Sequence, residues 1–338
     1  MLQLKNKTPF SAQLTLFPNQ QGIDSLYIIV KATFIIGQQW TLAEKQIPPQ
    51  AEDEYWSENP ENSSIKKASE IHIGKPATDI IVLGNAHAAE GKKVSHMNVA
   101  LTVGKVHTMI HVSGDRVWDN GSISLAQPFN VMPMIYERAF GGVHIQEGKI
   151  ITGELRNPVG CGFKGKRKTK EMNGQPLPNL ENPNKLLRQL GDNSIPAGLS
   201  FVSPGWFPRQ SFAGTYDEKW QKTRAPYLPE DFDLRFFNMA HPDLIYPGYI
   251  QGGEPVEITG MHPNGVLNFN LPKVALTANV YVQSRIEKPE FNLETVVIEP
   301  EKQQLKMTWK ATVTCDKQTL KIREVEINLS RNLNRHAV

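Results

Sequence analysis

The sequence predicts a mainly β protein: an antiparallel β-sandwich or partly closed barrel, with a long irregular aromatic and proline-rich middle segment and one or two short helices. Three observations carry this. Short apolar runs and period-two alternation fill both ends of the 338-residue chain, bounded by turn residues. The alternation implies sheets with one wetted face, hence mainly antiparallel pairing. Residues 196–254 keep neither a helical nor a strand period, yet positions 201–250 hold 12 of the chain's 28 aromatic residues.

The elements follow in order. The run LYIIVKATFII (26–36) is rich in β-branched and aromatic residues and predicts a central strand, with 40–45 returning beside it after Gly37. Residues 51–69 are polar and carry Pro60, a surface excursion. DIIVL (79–83) is a second buried strand. Strands over 94–103 and 106–113 flank Gly104-Lys105, a two-residue hairpin turn with glycine leading, and short strands at 115–118 and 122–125 flank Asn120-Gly121, a type I′ signal. MPMIYERAFGG (132–142) is followed by a strand-like stretch, and residues 156–183 are dense in Gly, Pro and Asn and read as loop. A short helix is expected over 184–190, stopped by Gly191, and another over 217–224 with Asp217 at its start.

From 254 the strands return. Residues 254–260 and 266–271 flank the turn HPNG, and 274–282 and 305–313 alternate cleanly. In the last strand Leu320 and Ile322 are even but Val325, Ile327 and Leu329 are odd, so one extra residue near Arg323-Glu324 is expected as a β-bulge. The chain is thus expected to be one domain over 1–330, strand-rich at 1–132 and 254–330 around an irregular middle at 133–253, with a mobile tail at 331–338. The middle segment, 196–254, threads prolines among large rings. It is expected to be an irregular but rigid slab packed on the sheets, because each such ring holds ~150–250 Å² out of water when buried.

Composition narrows the function classes. The chain is 39% hydrophobic and 21% charged, a globular balance, and its net charge of +3 is too mild to argue for nucleic acid. Two cysteines, Cys161 and Cys315, make no disulfide framework. No apolar h-region follows the first lysines and no apolar run is long enough to span a bilayer. A cytoplasmic protein without membrane contact is the expectation.

Few residues point to chemistry. GCGFKG (160–165) fits the bare dinucleotide pattern and nearly a phosphate loop, but Asn157-Pro158 precedes it, a basic loop follows, and Arg167 stands where a magnesium-binding hydroxyl belongs. The run Lys164, Lys166, Arg167, Lys168, Lys170 either docks an acidic partner or is a solvated loop. No histidine or cysteine spacing suggests a metal, and no nucleophile elbow is present. The enzymatic candidates are carboxylates: Glu137, Asp217, Glu230, Asp231 and Asp233, two of which among aromatics would suit a glycoside hydrolase. Arg138, Arg209, Arg224 and Arg235 are equally simple ion-pair partners for them. Gly141-Gly142 and Gly252-Gly253 signal close backbone approach or positive φ.

These residues recur in an ordered set. VKATF (30–34), KPATDIIVLGNAHA (75–88), GDRVW (114–118), MPMIYERAFGG (132–142), NPVGCGF (157–163) and LPNLE (177–181) are followed by PAG (196–198), WFPR (206–209), AGTYDEKW (213–220), LPEDFDLRFFN (228–238) and GGE (252–254). Together, over roughly residues 8–310, they resemble a bacterial family first catalogued as a domain of unknown function and later tied to type VI secretion. Cys161 departs from it, where a basic residue is expected. The resemblance implies a non-catalytic adaptor or chaperone that binds a toxic effector, often one with a spike-tip (PAAR-like) segment, and helps load it on the secretion spike. It brings no catalytic residue, cofactor or small-molecule substrate. Glu137, Arg138, Gly141, Gly142, Asn157, Trp206, Arg209, Asp217, Trp220 and Asp231 are the motif positions that either bind the partner or hold the motifs in place. Two other readings compete: a carbohydrate-active hydrolase using paired carboxylates, and a structural part of the secretion assembly.

Overall fold

The chain folds, in a computed structural model that describes residues 2–330 apart from Gln38, around strands that follow the expected apolar runs. The expected mobile tail, 331–338, lies outside the described residues. In chain order the principal strands are β1 (Gln3–Asn6), β2 (Ser11–Pro18), β3 (Asp24–Ile35), β4 (Asp79–Val82), β5 (His96–Val103), β6 (Val106–Ser113), β7 (Val143–Gln146), β8 (Lys149–Gly153) and β9 (Leu180–Glu181). They continue with β10 (Pro255–His262), β11 (Gly265–Asn270), β12 (Leu276–Val282), β13 (Arg285–Glu287), β14 (Asn292–Glu299), β15 (Gln304–Thr314) and β16 (Ile322–Leu329). Two short helices, α1 (Thr169–Met172) and α2 (Glu218–Thr223), lie in the irregular middle.

Three larger sheets result. The central one runs β2-β3-β15-β14-β4, with Thr41–Leu42 paired onto the end of β3. A second runs β9-β6-β5-β10-β11 and a third β1-β16-β12-β13. Pairing within them is antiparallel except for β14 with β4 and β1 with β16. Among the described residues no sheet closes into a barrel, and the arrangement is sandwich-like. One face of each sheet feeds a common apolar core: Leu26, Ile28 and Val30 from the first, Val99, Leu101 and Ile258 from the second, Val280, Val325 and Ile327 from the third.

Turns and irregularities follow local chemistry. Asn120 and Gly121 both take positive φ, +50° and +88°, as a type I′ hairpin demands. In β16, Tyr281 faces Glu324 and Val282 faces Ile322, which leaves Arg323 as the extra residue of a bulge where the parity slips. The expected helix over 184–190 does not form. Glu181 Oε1 takes the amide of Leu187 at 2.8 Å, and Asp192 Oδ2 takes those of Arg188 and Gln189 at 3.0 and 3.1 Å. Side-chain acceptors thereby replace helical carbonyls. The excursion over 51–69 is exposed along most of its length, as expected, but Ser63, Ser64 and Ile65 turn back and are buried.

The central sheet is covered on both faces, and the second cover is polar. Lys31, Thr308, Thr295 and Asp79 are successive partners across four strands and so share one face. Over them lie residues 46–78 and the aromatic segment. Lys31 Nζ meets Glu70 Oε2 at 2.6 Å, and Lys310 Nζ meets Glu294 Oε2 at 3.0 Å. Lys75 Nζ meets Asp79 Oδ2 at 2.6 Å with both side chains wholly buried. Asp79 also accepts from Asn238 Nδ2 at 2.9 Å and from the Met239 amide at 2.8 Å. The His72 ring stacks on Phe237 at 5.1 Å. Pairing and hydrogen bonding offset part of the cost of burying these ions.

Candidate functional site

The motif positions fall into two groups. The first surrounds the 3-10 turn Tyr136–Arg138. Chain neighbours Glu137 and Arg138 do not pair with each other. Glu137 accepts from the amide and hydroxyl of Ser64, both at 2.7 Å, while Arg138 reaches the other way to Asn179 Oδ1 at 2.9 Å and Asp115 at 3.1 Å. Asn157 is fully buried, and its Nδ2 donates to the Tyr136 and Phe140 carbonyls at 2.8 and 3.0 Å. Its own carbonyl takes the Gly142 amide at 2.9 Å. A Cβ on Gly141 would lie 2.1 Å from that oxygen, and Gly142 sits at φ +105°. Both glycines are therefore required by backbone approach and conformation.

The GCGFKG loop lies beside this turn and, through Gly160 to Phe163, lines a cleft of about 280 Å³ with Gly141, Gly142 and Arg167. Cys161 and Gly162 pair with Phe140 and Gly141 in a two-residue parallel ladder. No helix opens directly after the loop, since α1 starts only at Thr169, so the arrangement of a phosphate loop is absent from it. Arg167 spends its guanidinium on the carbonyls of Phe163 (2.8 Å) and Val143 (2.6 Å). Burial pushes the Cys161 thiol up to about 12, which favours its protonated form at neutral pH. Both cysteines are free.

The second group lies in the aromatic segment, which proves to be both core and surface. Trp206 is buried edge-on against Tyr136, at 5.5 Å and 88°, and so ties the segment to the first group. Phe232 is buried too, while Tyr216, Tyr227 and Phe207 are exposed. Arg209 is buried and, among the described residues, makes no ion pair: its Nε donates to the Phe236 carbonyl at 2.9 Å and its Nη1 to that of Val202 at 2.5 Å. Burial lowers it to about 10, still charged at neutral pH. Asp217 Oδ1 caps α2 through the Trp220 amide at 2.8 Å, and Trp220 Nε1 donates to the Tyr227 carbonyl at 2.8 Å.

The carboxylates of this segment meet in part. Asp217, Glu230 and Asp231 line an open depression of about 240 Å³ with Trp220 and Arg224. Asp231 accepts from the Thr215 amide (2.9 Å) and hydroxyl (2.7 Å), and those bonds hold its carboxyl below the usual range. Asp233 is paired with Arg235 at 2.6 Å, which lowers it likewise. A general acid needs a raised carboxyl pKa, and Asp231 and Asp233 are shifted the other way. Among the described residues no cluster of His, Cys, Asp or Glu is arranged to hold a metal ion, and no helix is long and apolar enough to cross a membrane.

The ionic layer on the central sheet escaped the sequence reading. Its signals were a lysine inside an apolar run (Lys31), another between Trp309 and Ala311 (Lys310), and the pair Lys75 and Asp79 in KPATD. Burial and the nearby cations push His72 well below its ordinary value, so its imidazole is neutral in the fold. Burial lowers Lys310 to about 8.

No curated protein and no solved structure matches the chain. A family model described as "uncharacterized protein conserved in bacteria (DUF2169)" matches residues 21–310. The chain belongs to that bacterial family.

Proposed function

We propose that this family member is a non-catalytic adaptor that binds a type VI secretion effector in the cytoplasm, one with a PAAR-like spike-tip segment, and helps load it on the secretion spike. The ordered motif set is the basis for that partner. One observation in the structure favours a binding scaffold over a hydrolase. The motif carboxylates Glu137, Asp217, Asp231 and Asp233 each accept hydrogen bonds from adjacent backbone or side chains, which pin loops in place. Such pinning gives a rigid platform, and a preordered surface loses little entropy when it captures a partner.

The test is co-expression of the tagged protein with the product of a neighbouring effector gene, followed by pull-down and measurement of mass in solution. A stable complex, with effector solubility depending on this chain, is the expected result. An effector that is soluble alone and forms no complex would refute the adaptor reading for that pair. Self-association or stable spike binding without effector would favour a structural part of the assembly instead. Hydrolysis of a glycan panel, lost on substituting Glu230 and Asp231, would favour the enzyme.

A further inference from the structure

We infer that the β7–β8 ribbon and the basic loop behind it form one docking surface for an acidic protein segment that adds as a strand, with acidic and apolar residues alternating along it. This deepens the adaptor reading by naming a surface, and it rests on that reading only for the identity of the natural partner.

The ribbon is an unfinished sheet. Among the described residues β7 and β8 pair only with each other, and neither outer edge has a further strand. A two-stranded ribbon is marginal by itself, and an unpaired edge is a template for another chain. Ile145 and Ile150 are cross-strand partners yet stand 55% and 67% exposed, and Ile151, the bulge residue between the two registers, is 40% exposed. An apolar pair in that position is left for something to cover.

The basic loop lies against the opposite face. His144 and Thr152, the next pair along, pack against Gly165, where an added Cβ would come within 3.0 Å and 2.9 Å of them. The basic loop is thereby seated on the ribbon, and Arg167 fastens it through the Val143 carbonyl. Lys166, Lys168 and Lys170 are exposed and Lys164 half-buried. Among the described residues none of the four has an ion pair or a side-chain hydrogen bond, and Lys149 at the ribbon tip adds a fifth such cation. The carboxylates on the same segments are few. Glu147 stands at the tip, Glu154 is paired with Arg156, and Glu171 is turned onto the Lys168 amide.

A strand added to this ribbon presents alternate side chains to its two faces. Apolar residues would then lie beside Ile145 and Ile150, and acidic ones beside the lysines, where charge complementarity sets register and partner choice. A phosphate-bearing surface would satisfy the lysines but leave the isoleucine pair and the strand edges unused. That asymmetry favours a polypeptide over a membrane.

The probe is a short labelled peptide alternating glutamate and valine, read by fluorescence anisotropy against its lysine–valine counterpart and against phosphatidylserine vesicles. The wild-type chain is expected to bind the acidic peptide, more weakly as salt rises. Binding should fall by roughly tenfold in K164A/K166A/K168A/K170A and also in I145S/I150S, with unchanged melting temperatures, because these side chains are unpaired or exposed. The inference is overturned if the acidic peptide does not bind, if both peptides bind alike, or if neither variant weakens binding. Vesicle binding that needs the lysines, with no peptide bound, would assign the surface to a membrane and overturn it too. An effector captured equally by wild type and both variants would leave the adaptor reading standing and this surface wrong.

Discussion

The wholly buried pair Lys75–Asp79 is where single substitutions should matter most. Asp79→Ala strands the Lys75 ammonium, the Asn238 amide and the Met239 N–H together, and is expected to cost about 3–5 kcal/mol in urea denaturation. The paired change K75M/D79L, which removes both charges, should cost much less. His72 offers a pH test. Its folded-state pKa lies below the ordinary 6.5, so below that pH the unfolded chain binds a proton that the native fold refuses. Stability is therefore present above 6.5 and lost as pH falls toward the depressed value. His72→Phe should flatten that slope between pH 7 and 5 relative to wild type, whatever its absolute stability. These residues were hard to find in the sequence for a physical reason. Period-two alternation assigns Lys31 and Lys310 to a wetted face, and nothing local reveals that chain from far away covers it.

At the scale of elements, legibility followed the range of the interactions. The bulge in β16 was visible because parity is a local property: Ile322 and Val325 cannot share a face without an extra residue. Deleting Arg323 should therefore restore a regular ladder with Ile322, Val325 and Ile327 still inward, and lower the melting temperature by only a few degrees. Deleting Glu326, one turn of the alternation later, would reverse every side chain beyond it and should prevent folding. The helix expected over 184–190 failed because Glu181 and Asp192, outside the window, capture its amides. The cap on α2 succeeded because Asp217 and Trp220 are three residues apart. Of the motif residues, position and type were legible, but not which way each points. Glu137 and Arg138 are adjacent in sequence and serve opposite sides of one turn.

At the scale of the molecule, the three sheets share one core, and the order of strands within the central sheet ties the first part of the chain to the last. β3 lies between β2, its neighbour in sequence, and β15, which begins only at Gln304. β4 likewise waits for β14. During synthesis at ~5–20 residues per second, β3, buried at all but its two end residues, stays without its second neighbour for on the order of 15–60 s. The nascent chain must meanwhile carry that uncovered edge through the crowded space outside the ribosome. Chains truncated before Gln304 are expected to be insoluble, while those ending at Ser330 should fold, as sedimentation of the two products of translation would show. Until its last strands emerge, the chain thus exposes the kind of unpaired apolar edge that general folding helpers cover.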